Sequence, residues 1–440
     1  MGLQIENARG QCYDGAAAMT GEKSGVATHF KQVNSKCLFT HCYGHSLNLA
    51  VGDTMKSINV LADTFITIKE ICAIIKRSPK RETYLKLQRK LSENENKGVH
   101  SFCPTRWTTR AQSCKAVIDN YDELMALWDW TLEDKNITAE AKAKIRAAQK
   151  SMQEFDFLFG CELGRVILTH TDNLSKTLQS ATITAAEGQS IASQTVKVLE
   201  KYRTDEAFQT FWAELEVSRE THNIDEPVLP KVRKRPARYE TGNTSSHHID
   251  QSPEEMYRRI YFQAMDTTIN SIKSRFDQHD WGIMVNTQEL LFKAIQQENF
   301  EAEIEVVCQF YNDDLDRHSL SAQLEHLPGY NENNSTIRTA KELIDFFQNM
   351  KLGERENLGE VQKLVKLLLV MPATNAVSER SFSAMKRIKS YLRSTMSNNR
   401  INHLMIMHVH KDKTDKIDMT QTANSFIGKT ESRRKRFGHF

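Results

Sequence analysis

The stretch Gln11-Cys12-Tyr13-Asp14-Gly15-Ala16-Ala17-Ala18-Met19 joins a strand-like segment, about residues 3–13, to a tight turn. Aspartate followed by glycine and small residues is typical of a strand end, because both residues favour turns. A second apolar run, residues 37–42, is typical of a buried strand, and a helix is expected to start near Gly44. Two strands that lead into a turn and a helix predict an α/β unit here.

Beyond residue 55 the apolar residues recur at intervals of three and four, which is the period of an amphipathic helix. The clearest run consists of Ile58, Leu61, Phe65, Ile68, Ile71 and Ile75. Similar patterns predict helices around residues 111–130, 138–158, 160–180, 185–220, 253–276 and 286–298. Glycine (18) and proline (8) are scarce, so few tight turns are expected. The predicted fold class is α/β plus α, mostly helical overall.

Two polar breaks and a basic tail interrupt the helical pattern. Residues 223–252 contain three prolines, a basic run and a polar stretch, which together predict a disordered loop. A second break, at 329–335, is rich in asparagine. A final compact unit is expected over 359–411. Residues 412–440, whose last basic run is Arg433-Arg434-Lys435-Arg436, are expected to be disordered.

Composition excludes several classes of protein. The formal charge is only +3, from 59 basic and 56 acidic residues, so any nucleic-acid surface must come from local clusters of charge. Eight scattered cysteines do not form a secreted disulfide framework, no apolar signal segment is recognised, and the longest apolar run, 367–371, is too short to cross a bilayer. We expect a soluble intracellular protein without a membrane partner. The basic runs suggest a nuclear location, with the cytoplasm as the alternative.

Asp14 and the element Cys42-Tyr43-Gly44-His45 each allow two interpretations. A carboxylate at a strand end can bind a hard cation such as Mg²⁺, but it more often forms an Asx-turn or a helix cap. Cys42 and His45 suggest zinc, yet no second pair follows at the spacing of a zinc finger. The better interpretation is structural, with a cysteine closing a buried strand and a histidine near a helix start.

The third motif is Ser378-Glu379-Arg380-Ser381-Phe382-Ser383. Ser378 is expected to cap a helix, with Glu379 in the first turn where a carboxylate suits the helix dipole. Exposed carboxylates at a helix start also occur beside strand-end carboxylates in two-metal nuclease sites. The residues alone leave both interpretations open.

Taken together, these motifs resemble those of hAT-superfamily transposases in order and in kind. The matching elements are Asp14-Gly15-Ala16, the Cys42 to His45 element, Pro104-Thr105-Arg106-Trp107, and residues 375–383. The pattern is similar to transposon-derived relatives described as zinc finger MYM-type 1-like or as THAP-type repressor-like proteins. Its most specific part, the motif that begins at Ser378, resembles the core of the hAT C-terminal dimerisation region, which would span about 359–411.

The resemblance implies a ribonuclease-H-like core, interrupted by a large helical insertion, in which two Asp and one Glu hold two Mg²⁺ ions. It places a partial core at 1–110, the insertion at 111–350, and the remainder of the core within 359–411. Asp14 matches the second Asp and Glu379 matches the Glu. Cys42 and His45 match the family's C-x-x-H element. Arg106 and Trp107 match its Arg-Trp element, in which the Trp near the site can stack on an unpaired base, so both are candidate nucleic-acid contacts.

One departure from the family decides the expected activity. Only 13 residues precede Asp14 in this sequence, and none of them matches the family's first Asp. We therefore predict that Asp14 and Glu379 are the remnant of a carboxylate triad, able to hold Mg²⁺ only weakly, and that the chain needs no cofactor. The alternatives are a truncated form of an active Mg²⁺-dependent transposase, and a helical interaction scaffold without a nucleic-acid role.

Dimerisation is the activity predicted to persist. Two helices of the final unit carry apolar faces, made of Phe382, Met385, Ile388 and Leu392 on the first and of Ile401, Leu404 and Met405 on the second. A unit of about fifty residues cannot cover that much apolar surface by itself. The expected partner is a second copy or a related hAT-derived protein, and DNA is a further candidate partner.

Overall fold

The structure is a computed structural model that describes residues 4–94, 98, 110–180, 183–229, 252–277, 281–331, 337–371, 373–390 and 395–438. The chain forms two compact units, Met1–Thr374 and Asn375–Phe440. Helices dominate both units, as the scarcity of glycine and proline predicted, and one small sheet lies in the first unit. No helix among the described residues is both long and apolar enough to span a bilayer.

The sheet consists of two parallel strands, β1 (Gly10–Tyr13) and β2 (Leu38–His41), in which Gly10 lies opposite Leu38 and Tyr13 opposite His41. Parallel strands need a connection that returns to the starting end of the sheet, usually through a helix. Helices α1 (Ala17–Thr20) and α2 (Val26–Val33) provide it. The predicted α/β opening is confirmed to the extent of these two strands, and a complete ribonuclease-H-like core stays a prediction.

Sixteen further helices occupy the described part of the first unit. They are α3 (Tyr43–Ser57), α4 (Asn59–Lys76), α5 (Pro79–Leu91), α6 (Arg110–Ile118), α7 (Tyr121–Glu133), α8 (Ala139–Gln153), α9 (Phe155–Leu178), α10 (Ala185–Tyr202), α11 (Asp205–Thr221), α12 (Pro253–Phe276), α13 (Trp281–Ile295), α14 (Glu301–Phe310), α15 (Arg317–His326), α16 (Ala340–Asn349), α17 (Leu352–Asn357) and α18 (Gly359–Val370). Short 3₁₀ turns lie at Ile5–Asn7 and Leu327–Tyr330.

Helix α9 organises the core of the first unit, because it packs against α4, α6 and α10. Two glycines of α9 permit the close approach of its neighbours. A Cβ atom on Gly160 would lie 2.0 Å from Oγ1 of Thr64 on α4, and one on Gly164 would lie 3.1 Å from the Phe65 ring. Glycine at these positions therefore removes the side chains that would separate the two helices.

The second unit contains α19 (Ala376–Ile388), α20 (Asn398–Val409), α21 (Lys411–Thr414), α22 (Met419–Gly428) and α23 (Glu431–Phe437). Helix α19 packs against α20, and α22 packs against α23. The last two helices correct the prediction of a disordered tail. Side-chain caps explain the difference, since Asp418 accepts hydrogen bonds from the backbone N–H groups of Thr420 and Gln421, and Thr430 accepts one from Arg433. Of the loop predicted at 223–252, residues 230–251 lie outside the described residues.

Candidate functional site

The carboxyl edge of the sheet brings together the first two motifs. Because β1 and β2 are parallel, Asp14 and Cys42, which follow them, lie at the same edge. The half-buried Asp14 accepts a hydrogen bond from the backbone N–H of Ala16 at 3.3 Å through Oδ1. This contact is an Asx-turn, the structural role that strand-end aspartates often have. Asp14 therefore holds the turn while its carboxylate stays at the sheet edge.

Two histidines line the same edge, and sequence reasoning singled out only one of them. The rings of His41 and His45 lie 5.9 Å apart, centroid to centroid. Gly15 fits directly against them, since a Cβ atom there would lie 2.9 Å from Nε2 of His41. Burial lowers the pKa of His41, with further lowering by His45 and Arg275, and Asp14 acts in the opposite direction. His41 is therefore neutral near pH 7.

Arg275, on α12, also belongs to this edge and was not foreseen. Its Nη2 atom lies 2.5 Å from Oδ2 of Asp53 on α3. Arg275 also contributes to lowering the pKa of His41, although the two residues are far apart in the sequence. No sequence motif marks Arg275, because Arg275 and Asp53 come together only through the packing of α12 on α3.

The C-x-x-H element fits the structural interpretation. Cys42 is buried and takes the N-cap position of α3, and its Sγ lies 3.7 Å from Oγ1 of Thr374. The next backbone N–H, of Tyr43, donates a hydrogen bond to the carbonyl of Ala373 at 3.1 Å. The start of α3 thus holds the segment that follows α18. His45 lies half-buried in the first turn of α3.

The other predicted catalytic and nucleic-acid residues lie in the second unit or outside the described residues. Among the residues that the structure describes, no group of three or more His, Cys, Asp and Glu side chains could hold a metal ion. Glu379 is exposed in the first turn of α19, in the second unit, and its pairing with Asp14 around Mg²⁺ stays a prediction. The helix begins at Ala376 after Asn375, so Ser378 lies inside α19 rather than capping it. Arg106 and Trp107 lie outside the described residues.

The predicted dimerisation residues divide into exposed and inward-facing sets. Phe382 on α19 is 60% exposed, whereas Met385 and Ile388 are half-buried. On α20, Ile401 is buried, and Leu404 and Met405 are half-buried. Leu392 lies outside the described residues.

The strongly exposed apolar residues of α20 are ones that the sequence pattern did not select, namely Ile406, Met407 and Val409. The residues selected from the sequence, Ile401, Leu404 and Met405, lie on the inward face of the helix. No periodic signal marked the outer face, because a helix that is apolar on several sides has no single stripe.

Comparison with known proteins agrees with the resemblance in the sequence motifs. Residues 330–412 match the hAT family C-terminal dimerisation region, a range that includes 359–411. The chain is 24% identical over 439 residues to the human 52 kDa repressor of the inhibitor of the protein kinase, covering 95% of this chain and 55% of that protein. The mouse protein of the same name is also 24% identical, over 438 residues with the same coverage. The chain thus spans about half the length of these curated relatives. The chain therefore carries a segment that matches the hAT C-terminal dimerisation region, and over most of its length it is similar to these two repressors.

Proposed function

We propose that this chain self-associates through the outer faces of α19 and α20, within the matched dimerisation region. The observation that carries the proposal is the apolar surface that these two helices leave exposed. Phe382, Ile406, Met407 and Val409 are each at least 44% exposed, and all four lie within residues 330–412. Exposed apolar patches of this kind mark interaction surfaces on soluble proteins.

The energetics favour burial of this surface against a second copy. Complete removal of a large apolar side chain from water contributes about 1.5–3 kcal/mol to the free energy of association. A two-fold contact buries each residue twice, because the same patch is used by both partners. Because Phe382 is 60% exposed, burying it in both copies would contribute about 2–4 kcal/mol to the dimer, which corresponds to a factor of at least about twenty in the dissociation constant.

A groove of the first unit is a second apolar surface within the matched region. It lies between α16 and α18, has a volume of about 200 Å³, and is lined mainly by Ile344, Phe347, Val365 and Leu369. Next to it, Val370 is half exposed at the end of α18. These residues also fall within 330–412, so the apolar surface available for association extends beyond α19 and α20.

Sedimentation of the whole chain tests this proposal. The wild type is expected to be a dimer at micromolar concentration. Phe382→Asp combined with Ile406→Asp is expected to shift it to monomer, because two charges would be buried in the contact. Both residues are more than half exposed, so the monomer fold should be unaffected. The matched control is Val217→Asp on α11, which is 65% exposed outside the matched region.

The control defines the outcomes. If Val217→Asp also dissociates the dimer, the effect of charge is general and the assigned surface is wrong. A wild type that is monomeric at tens of micromolar, or a dimer that tolerates both aspartates, contradicts the proposal.

We further propose that this chain does not cleave DNA by itself. Two of the family's three carboxylates have counterparts in this sequence, Asp14 and Glu379, and a pair of carboxylates lacks the ligand set that holds two Mg²⁺ ions. The competing function is that of an active Mg²⁺-dependent transposase, which requires the first Asp of the family. No cofactor is then needed for the function of this chain.

Association with nucleic acid in the nucleus is a separate part of the proposal. The human and mouse relatives are named as repressors, and local basic clusters provide the means of DNA contact. The competing function, a helical scaffold without a nucleic-acid role, predicts no salt-dependent DNA binding.

A further inference from the structure

The positive charge of the chain is concentrated in the second unit. Residues 375–440 contain 14 of the 59 Lys and Arg residues but only 5 of the 56 Asp and Glu residues. This unit therefore carries a formal charge of +9, and the remaining 374 residues carry −6. A local field of this strength attracts polyanions even when the whole molecule is nearly neutral.

The end of this unit forms a small helical hairpin, which we call the basic hairpin and define as α22 and α23, residues 419–437. Ile427 is its buried residue, and the side chains of Asp418 and Thr430 cap the two helices. Four consecutive basic residues, Arg433-Arg434-Lys435-Arg436, occupy one turn of α23. Successive helical residues point about 100° apart, so cations are presented on every side of the helix.

Contacts within the hairpin hold two guanidinium groups at the turn. Arg433 stacks over the ring of Phe426 with its Cζ 4.1 Å from the ring centroid, and Arg434 donates a hydrogen bond to the carbonyl of Gly428 at 2.9 Å. Lys435 pairs with Glu431 at 3.3 Å. Arg433, Arg434 and Arg436 have no acidic partner among the residues that the structure describes. Each guanidinium has five N–H donors, so most remain available to a ligand.

We propose that the basic hairpin binds the phosphate backbone of duplex DNA without reading its base sequence. Arginine is the side chain best suited to phosphate, because its planar fork donates two parallel hydrogen bonds to phosphate oxygens. Stacking on Phe426 restricts Arg433 before binding, so less conformational freedom is lost. The inference rests on the nucleic-acid association proposed above and assigns that association to named residues.

A membrane surface is the competing partner for a basic helical segment, and the hairpin fits it less well. Helices that lie in a bilayer interface need a broad apolar face opposite the basic one. The hairpin does expose Met419, Phe426 and Phe437. These residues do not form a face free of charge, because Arg433 stacks on the ring of Phe426 and the four consecutive basic residues run around α23 up to Phe437. Phosphate groups arranged along a rod satisfy such a distribution of charge better than a flat apolar boundary.

The test compares two charge-matched triple variants of the whole chain. One carries Arg433→Gln, Arg434→Gln and Arg436→Gln. The control carries Lys144→Gln, Arg146→Gln and Lys150→Gln on α8, where all three residues are exposed. Fluorescence anisotropy measures binding to a 25-base-pair duplex of arbitrary sequence across a salt series, and sedimentation of the same samples reports the oligomeric state.

The expected result is specific to the hairpin. Removal of three phosphate contacts should lower the slope of log K against log salt by about 2–3 and weaken binding at least about tenfold at roughly 0.1 M salt. The control should keep the slope of the wild type. An equal effect of both triple variants, or a hairpin variant with an unchanged slope, overturns the assignment to the hairpin while leaving DNA association in place.

The remaining outcomes separate this inference from the proposed function. Absence of any salt-dependent DNA binding by the wild type overturns both the association and the hairpin. A wild type that sediments as a monomer yet shows the expected slope supports the hairpin and contradicts dimerisation. Binding to vesicles of phosphatidylserine and phosphatidylcholine, without binding to the duplex, overturns the inference in favour of a lipid surface.

Discussion

Substitution of Gly160 by alanine should test the packing on which the first unit depends. Gly160 lies on α9 where α4 crosses it. A Cβ atom there would meet three atoms, at 2.0 Å from Oγ1 and 2.9 Å from Cβ of Thr64, and at 3.2 Å from the carbonyl oxygen of Val60. Ordinary van der Waals contact between these atom types needs about 3.5 Å. The two helices must therefore separate by roughly an ångström, because the backbone of Val60 cannot rotate away.

The magnitude follows from two opposing effects. Alanine is favoured over glycine by about 1 kcal/mol inside a helix, which would stabilise the variant. Overpacking of a close-packed core costs about 1–3 kcal/mol and more where backbone must move. With contact at 2.0 Å the steric effect exceeds the helix propensity, and we expect a net loss of about 1–3 kcal/mol in the free energy of unfolding.

Urea unfolding followed by circular dichroism gives the measurement. Gly282→Ala on α13 is the control, since a Cβ atom there meets nothing within 4 Å and should leave stability unchanged or raise it by up to about 1 kcal/mol. Thr64→Ala, combined with Gly160→Ala, should recover part of the loss because it removes the nearest atom, and the double-mutant cycle measures that coupling. A Gly160→Ala variant as stable as the wild type would refute the close approach of α4 and α9.

Two further predictions concern ionisable groups. Asp172 is buried on α9, and burial raises its pKa to about 7, against the lowering influence of Lys176 and Arg110. The carboxyl group of Asp172 therefore binds its proton more tightly in the folded state than in the unfolded state, so the free energy of unfolding should fall as pH rises from about 4 to about 7. In Asp172→Asn, about 2–4 kcal/mol of this pH dependence should disappear, which unfolding measured across the same pH range would show. The purified chain should not nick supercoiled plasmid in Mg²⁺, and metal-dependent nicking that Asp14→Asn abolishes would contradict the proposed absence of catalysis.

Local periodicity predicted long helices better than it predicted their ends. The apolar run from Ile58 to Ile75 predicted a helix that the structure places at α4, and the pattern around 111–130 predicted one helix where there are two. The break comes at the buried Asn120, whose side-chain amide donates to the carbonyl of Ala116. Such a local hydrogen bond competes with the helix but leaves the apolar period intact, so the pattern alone could not locate it.

The sheet edge shows a different limit of prediction from the sequence. Asp14, Cys42 and His45 were found because each belongs to a short motif next to a strand. The crossover helix α2 was missed because it is short and buries only Ala27 among its residues. His41 and Arg275 were missed because their electrostatic interaction depends on how α12 packs against α3, which no local pattern encodes. Sequence motifs therefore selected three residues that share the sheet edge, and tertiary packing determines the electrostatic environment of that edge.

The second unit shows why average properties of the whole chain give no sign of the two interaction surfaces proposed here. A net charge of +3 predicts no strong field, yet it is the sum of +9 on 66 residues and −6 on the rest. The same unit exposes Phe382 and Ile406, so it combines like charge, which opposes self-association, with apolar surface, which favours it. In a dimer, the second units of the two copies would together carry a formal charge of +18. The repulsion between them decreases when a polyanion neutralises this charge. Dimerisation and DNA binding should therefore strengthen one another, because by linkage a ligand that favours the dimer is itself bound more tightly by the dimer.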